Sequence, residues 1–375
     1  MSCDKKCKNP RLGKVGGQAV LEGIMMKSGD RISLAVRKED KEIAVKNSVA
    51  VSVRKKNKFL NLPLIRGCVN FVETLIMSYT TLEESAKMLG MDDIDEETKF
   101  DRWVKEKFGD KIMNVVMGIA SVVGIALAFA LFTFLPAFIT KWINGLTPNG
   151  LGWWQNLISG GIRICIFIAY MALVSLMKDI RTTFEYHGAE HKSIACYEAG
   201  EELTPANAKK YTRFHPRCGT SFIFVILIIS ILIFSVVKWD MNIMAMIALR
   251  LCLLPFVVGI SYEILMLTGK HPNKFTLALA YPGLLMQRIT TKEPNEEQLE
   301  VAITALKCAL KDEFPETYEY YENKAKGAND AECDVADKAT VGEQAADAPD
   351  VGEEAPQPED ESKESEKAES GENDA

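Results

Sequence analysis

The strongest constraint on this chain is a run of 28 residues without a charge, Ile112–Ile139. A bilayer core is crossed by a helix of about 20 apolar residues, and this run exceeds that length. Three more follow: Leu157–Met177, broken only by Arg163; Thr220–Val237, uncharged; and Ile243–Leu267, which holds Arg250 and Glu263. Together they predict four transmembrane helices. The alternative, buried core helices of a soluble protein, has to account for all four at once. A shorter run, Phe275–Met286, is interrupted by Pro282 and Gly283. It reads as an interfacial or re-entrant piece, not a span.

Orientation follows from Lys and Arg in the short connections. Residues 139–156 carry one, Lys141, and residues 239–242 carry none. Residues 178–218 carry seven, and the segment before the first span carries 22. Four spans with both termini and the 178–218 connection in the cytoplasm satisfy these counts. Trp142, Trp153, Trp154 and Trp239 then fall at the outer interface as an aromatic belt. Arg163 and Arg250 fall in the outer halves of their spans, where long side chains snorkel. No cleavable signal peptide is expected, because Met1–Pro10 is charged and lacks an apolar core. The nine cysteines are odd in number and scattered, and are expected to stay reduced on the cytoplasmic side. Cys3 and Cys7 are too sparse a pattern for a zinc site.

Composition matters where it shifts along the chain. Residues 326–375 hold 17 Asp+Glu against 4 Lys and no aromatic, a net −13. The whole chain is −7, so residues 1–325 are +6. The tail is predicted to be disordered, since it cannot bury enough apolar surface to offset its ordering entropy. The body is basic and can meet anionic lipid.

Between terminus and spans, residues 17–53 alternate with period two. Ile32, Leu34 and Val36 form one stretch, Ile43 and Val45 a second, and Val49, Val51 and Val53 a third. This predicts half-buried antiparallel strands. Over residues 64–89 the period becomes helical, with Ile65, Val69, Val72, Ile76, Tyr79, Leu82 and Leu89 on one face. That amphipathic helix can pack on the sheet or lie along the membrane. Leu299, Ala302, Ile303, Leu306 and Leu310 predict another after Pro294. No internal repeat, phosphate-binding glycine loop or nucleic-acid motif is present. The expected division is 1–60 β-rich, 61–111 amphipathic helical, 112–267 spanning, 268–325 helical or interfacial, and 326–375 tail.

The chemistry lies in the 178–218 connection. His187 and His191 are four apart and project from one helix face, where they can share a metal ion. Glu190 stands between them in an H-x-x-E-H pattern, in which the glutamate acts as general base. The pattern is short enough to arise by chance. His215 and Cys218 add an imidazole and a thiolate three apart in a turn holding Pro216 and Gly219. Three of the chain's four histidines fall within the 29 residues 187–215. Thr204-Pro205 is expected to start a short helix to about Tyr211, folding the connection into a hairpin. Two metal arrangements stay open: a closed structural set of His187, His191, His215 and Cys218, or three protein ligands with water and Glu190 as base. The non-metal alternative is a hydrogen-bonded polar cap. The difficulty is distance, because His187 lies ten residues past the second span, about 15 Å on a straight helix; a bend at Gly188 is one remedy. Glu263, about 10 Å inside the fourth span, is a further metal-ligand candidate, a partner for Arg217, or an interhelical ion pair. His271 reads as a solvated histidine.

Several segments resemble a known family. Gly16–Met26, Tyr186–Lys192, His215–Phe222, Ser261–Glu263 and Gln287–Pro294 resemble the YqhQ-like bacterial membrane proteins, of unknown function and predicted to be metal-dependent enzymes. The resemblance covers about residues 11 to 312. It implies a multi-pass protein of the bacterial plasma membrane. It offers no role for Gly16-Gly17-Gln18-Ala19 beyond close backbone approach at the glycines.

The resulting expectation is a mainly α membrane protein of four spans, with a small N-terminal β-containing cytoplasmic domain. Its function is expected to be metal-dependent hydrolysis at the cytoplasmic face. Zinc or another divalent ion is held by His187, His191 and His215, with Cys218 or Glu263 completing the set and Glu190 catalytic. The alternative is a non-enzymatic assembly factor or scaffold for other membrane proteins, stapled by a structural metal. A transporter is the weakest option, since no pair of interrupted helices marks a midplane site.

Overall fold

The computed structural model describes residues 9–90, 119, 122–148, 150–152, 154–235, 243–270 and 274–327. Cys3, Cys7, the start of the first apolar run, Trp153, Trp239, the 239–242 connection, His271 and the acidic tail from 328 lie outside the described residues.

The chain opens with an antiparallel sheet of order β1-β2-β3-β4: Val15–Val20, Gly23–Ser28, Arg31–Arg37 and Ile43–Val49. A two-residue turn, Leu21-Glu22, closes the first hairpin, with Glu22 at φ 44. The alternation at Ile32, Leu34 and Val36 does form a strand, but the central strands β2 and β3 are buried on both faces, not one. Helix α1, Ile65–Met88, covers one face, where Met77, Met88 and Leu89 pack on Val20, Met25, Ile32, Leu34 and Val36. The third expected stretch, Val49 to Val53, is not a strand. Glu73 of α1 accepts from the Val53 N–H at 2.7 Å and from the Ser52 hydroxyl, and Val53–Lys55 turns into a 3-10 helix instead.

Among the described residues, three helices are long and apolar enough to cross a membrane. They are α2, Val122–Leu146; α3, Trp154–Val174; and part of α7, Ile243–Lys270. Trp142 and Trp154, at adjoining ends of α2 and α3, are both exposed. Helix α4 is Lys178–Ala199 and α5 a single turn, Pro205–Ala208, shorter than expected because the chain beyond Lys209 turns back toward α4. The uncharged third run is α6, Gly219–Ser235, 17 residues long, with its continuation outside the described residues. Helix α8, Lys274–Thr290, is continuous through Pro282, so no break interrupts the Phe275–Met286 run. Gly283 serves contact: a Cβ there would lie 2.7 Å from Ser221, so its absence lets α8 lie directly on α6.

Helix α9, Glu296–Ala309, begins at a capping box in which Asn295 accepts from the Gln298 N–H and Gln298 reaches back. A last helix runs over 315–327. Helices α4 and α9 cover the second face of the sheet. Tyr186, Ala189 and Ile194 of α4 and Leu299, Ala302 and Leu306 of α9 close on Ile24, Met26, Ala35 and Val45. The sheet is therefore the middle of three layers. Burying the larger aliphatic side chains among these contributes roughly 1.5–3 kcal/mol each.

Candidate metal centre

Helix α4 is the platform. The chain breaks after α3 at Ser175–Met177, where Met177 is extended and α4 starts afresh. That break, not Gly188, resolves the distance problem: α4 is a separate rod free to run back over the sheet. Gly188 stays helical and faces another strand of chain. A Cβ there would lie 2.0 Å from the Lys292 carbonyl oxygen. The Lys292 N–H in turn donates to the Phe184 carbonyl at 2.8 Å. The segment after α8 is thus pressed against the helix face that carries the histidines.

His187, His191 and Cys218 come together, each offering one ligand atom within 4.8 Å of the others. His187 Nε2 is 3.2 Å from Cys218 Sγ. Its Nδ1 is 2.9 Å from the Thr290 carbonyl. His191 Nδ1 is 2.6 Å from the Arg213 carbonyl. A carbonyl oxygen only accepts, so both Nδ1 atoms carry hydrogen and both Nε2 atoms present a lone pair. This is how metal-ligating histidines are held, the outer nitrogen donating to a fixed acceptor. His191 is buried and its Nε2 has no hydrogen-bond partner. Burial pushes its imidazole below the ordinary value, against an opposing pull from Cys218. Tetrahedral zinc ligands lie about 3.5 Å apart, given bonds of about 2.0–2.3 Å, so this donor set suits such an ion after small side-chain adjustment.

Glu190 is 5% exposed. Its carboxylate accepts from the Gly17 N–H, while Oε2 is buried with no partner. Burial pushes its carboxyl above the usual range, partly opposed by His187 and His215. Gly17 is where sequence reasoning had no account. A Cβ there would lie 2.7 Å from the Met25 carbonyl, 2.9 Å from Met26 Sδ and 3.2 Å from the Glu190 carboxyl carbon. The glycine lets Glu190 come up against the outer edge of β1.

His215 sits beside the group without facing it. Its ring centroid is 5.6 Å from that of His191. Its Nδ1 accepts from the Arg217 N–H at 3.4 Å, and its Nε2 lies 3.7 Å from Glu198, which is also ion-paired to Arg217. Burial works to raise the Glu198 carboxyl, but the His215 hydrogen bond, the Gly13 N–H and Arg217 hold it below its ordinary value. The turn carrying His215 and Cys218 is gripped by Gln287 of α8. Its buried amide accepts from the His215 N–H and donates to the His215 carbonyl, both at 2.8 Å. Glu263 lies elsewhere, in a two-pronged pair with Arg66 at the start of α1, with Nε–Oε1 at 2.7 Å. This is the interhelical ion pair among the three expected alternatives, and Arg217 pairs with Glu198 instead. Glu198 and the carbonyls of Thr290 and Arg213 were not legible beforehand, since backbone acceptors carry no sequence mark.

A cavity of about 690 Å³ opens on the group. It is lined by His187, Glu190 and Cys218, by residues 16–19 of β1, and by apolar side chains that include Phe71, Leu75, Phe222 and Tyr262.

A family model described as "Protein of unknown function (DUF1385)" matches residues 62–312, two thirds of the chain. The chain belongs to this family. The uncharacterized protein YqhQ of Bacillus subtilis (strain 168) is 32% identical over 297 residues, covering 79% of this chain and 92% of that protein. No solved structure matches. Within the DUF1385 match fall α4, the His215–Cys218 turn, α8 and the residues that anchor both Nδ1 atoms. Strand β1, with Gly17, precedes it.

Proposed function

We propose that this protein is a metal-dependent hydrolase embedded in the bacterial plasma membrane, with its site at the cytoplasmic face. The observation that carries the reading is the pair of Nε2 atoms of His187 and His191, aimed at Cys218 while backbone carbonyls hold both Nδ1 atoms, next to a buried carboxylate oxygen without a partner. Three protein ligands facing a cavity favour a catalytic over a closed structural set. His215 supports the group through Glu198 and the turn, in place of the ligand role first expected of it. A divalent ion, zinc by the chemistry of the donors, supplies Lewis acidity and makes water more acidic when bound. Glu190 is then the base: desolvation raises its proton affinity, and Oε2 is free to take a proton from water and return it to a leaving group.

The four apolar helices α2, α3, α6 and α7 are read as spans, with α4 and both termini cytoplasmic, on the Lys and Arg counts of the connections. Metal analysis of detergent-purified protein tests the proposal. About one ion per chain is expected in the wild type and little in His191→Ala; metal-free wild type overturns it. Glu190→Gln is expected to retain the ion and lose activity. A non-enzymatic scaffold is the second reading, favoured by the way the group ties α4, the His215–Cys218 turn and α8 together. It predicts that Glu190→Gln is silent while Cys218→Ala unfolds the cytoplasmic layers and strips the metal together.

A further inference from the structure

Strand β1 is an edge strand, and its open edge faces the cavity. In a hairpin closed by a two-residue turn, Val20 and Gly23 exchange both backbone hydrogen bonds, and every second pair does the same. Gln18 with Met25 and Gly16 with Lys27 therefore bond inward to β2. Val15, Gly17 and Ala19 turn their N–H and C=O groups to the open side. The contact of the Gly17 N–H with Glu190, which lies outside the sheet, agrees with that phase. Exposed strand edges recruit another strand, and peptide recognition often works by adding one.

We infer that the substrate is a polypeptide, bound extended as a fifth strand along β1, with its backbone on the N–H and carbonyl of Ala19 and the carbonyl of Gly17, whose N–H Glu190 already takes, and with its scissile bond beside His187, Glu190 and Cys218. This rests on the hydrolase reading above. Two further observations point to the same occupant. A strand fills about 160 Å³ per residue, from a rise of about 3.3 Å, a strand spacing of about 4.8 Å and a layer about 10 Å thick. The cavity of about 690 Å³ has room for a short extended segment of a few residues. The lining joins residues 16–19 of β1 to Phe71, Leu75, Phe222 and Tyr262, a strand edge together with apolar side chains that can receive alternate side chains of a peptide. Gly16 and Gly17 keep that edge low enough for close backbone approach. In the reaction, water's hydroxyl joins the acyl carbon as the C–N bond breaks, and its proton passes by way of Glu190 to the departing amine.

The test uses binding, so that it does not depend on turnover. Full-length protein, wild type and Glu190→Gln, is titrated with a fluorescein-labelled hexapeptide of alternating alanine and leucine, followed by anisotropy and by hydrogen exchange of residues 15–20. Saturable binding with slowed exchange in β1 is expected in both proteins. N-methylation of alternate peptide nitrogens is expected to weaken it about tenfold, the loss of one or two hydrogen bonds. Ala19→Pro, which removes an edge donor without touching the β2 ladder, is expected to do the same, with metal content unchanged. Should that variant misfold, the N-methylated peptide still decides the matter on wild type. Equal binding of the N-methylated peptide, absence of peptide binding, or displacement by lysophosphatidylglycerol without protection of β1 overturns the inference. Hydrolysis of a small ester by protein that fails to bind peptide would leave the hydrolase reading standing and remove the polypeptide substrate alone.

Discussion

Gly17 has no room for a methyl group. Gly17→Ala is expected to cost about 1–3 kcal/mol, as over-packing does, and to push Glu190 away from β1; chemical denaturation and metal-dependent activity would both register it. Cys308 carries a different prediction. Burial in α9 pushes its thiol up to about 12 from an ordinary value near 9. A group whose folded value is raised stabilises the fold fully below its unfolded value, and that contribution is lost as pH rises toward the folded one. Stability is thus expected to decline between about pH 9 and pH 12 in the wild type, with a shallower decline in Cys308→Ala. Denaturant midpoints across that range check it. At this scale the sequence marked His187, Glu190, His191 and Cys218 through residue type and spacing. It marked Gly17 only as part of a glycine pair, because nothing local to residues 16–19 says that a carboxylate 173 positions away in the chain will be its neighbour.

Helix α4 works as a platform because two foreign segments clamp it. Gly188→Ala would set a Cβ 2.0 Å from the Lys292 carbonyl oxygen, a backbone atom that cannot rotate away. The expected result is a loss of about 3 kcal/mol or more. Reduced metal retention should accompany it, since Thr290, which anchors His187, lies two residues from Lys292. Helix α1 is fastened to α7 by Arg66 and Glu263, side chains 27% and 29% exposed. Arg66→Ala removes both prongs of this pair and is expected to cost about 1–2 kcal/mol, read as a lower unfolding midpoint in detergent; Arg66→Lys should recover part of it. Periodicity foretold the extents of α1 and α9 closely, but not the face by which α1 packs: Val72, Ile76, Tyr79 and Leu82 of its apolar stripe are exposed, while Met77, Thr81 and Ser85 lie on the side toward the sheet. It misjudged α8, where Pro282 and Gly283 read as a break. Gly283 is in fact spent on contact with Ser221, and Pro282 is accommodated within the helix.

The molecule joins an apolar helical layer to a sheet held between helices. The topology proposed for it predicts that a fused alkaline phosphatase is active after Pro148 and inactive after Glu202; the opposite pattern would invert the orientation. Apolar runs and charge bias were readable one segment at a time, and so were visible in the sequence. The three-layer arrangement was not. Alternation at Ile32, Leu34 and Val36 says that one face is buried but is silent on the other, where Ser33 and Ala35 pack beneath α9. Only the return of residues 296–309 to the sheet settles that. This return also sets a timetable. The centre draws on Gly17, on the His187–Cys218 stretch and on the backbone at Thr290 and Lys292, so a chain emerging from the ribosome has nothing to close it with until synthesis passes residue 292. The histidine pair is thus locked in place only after α8 has been made.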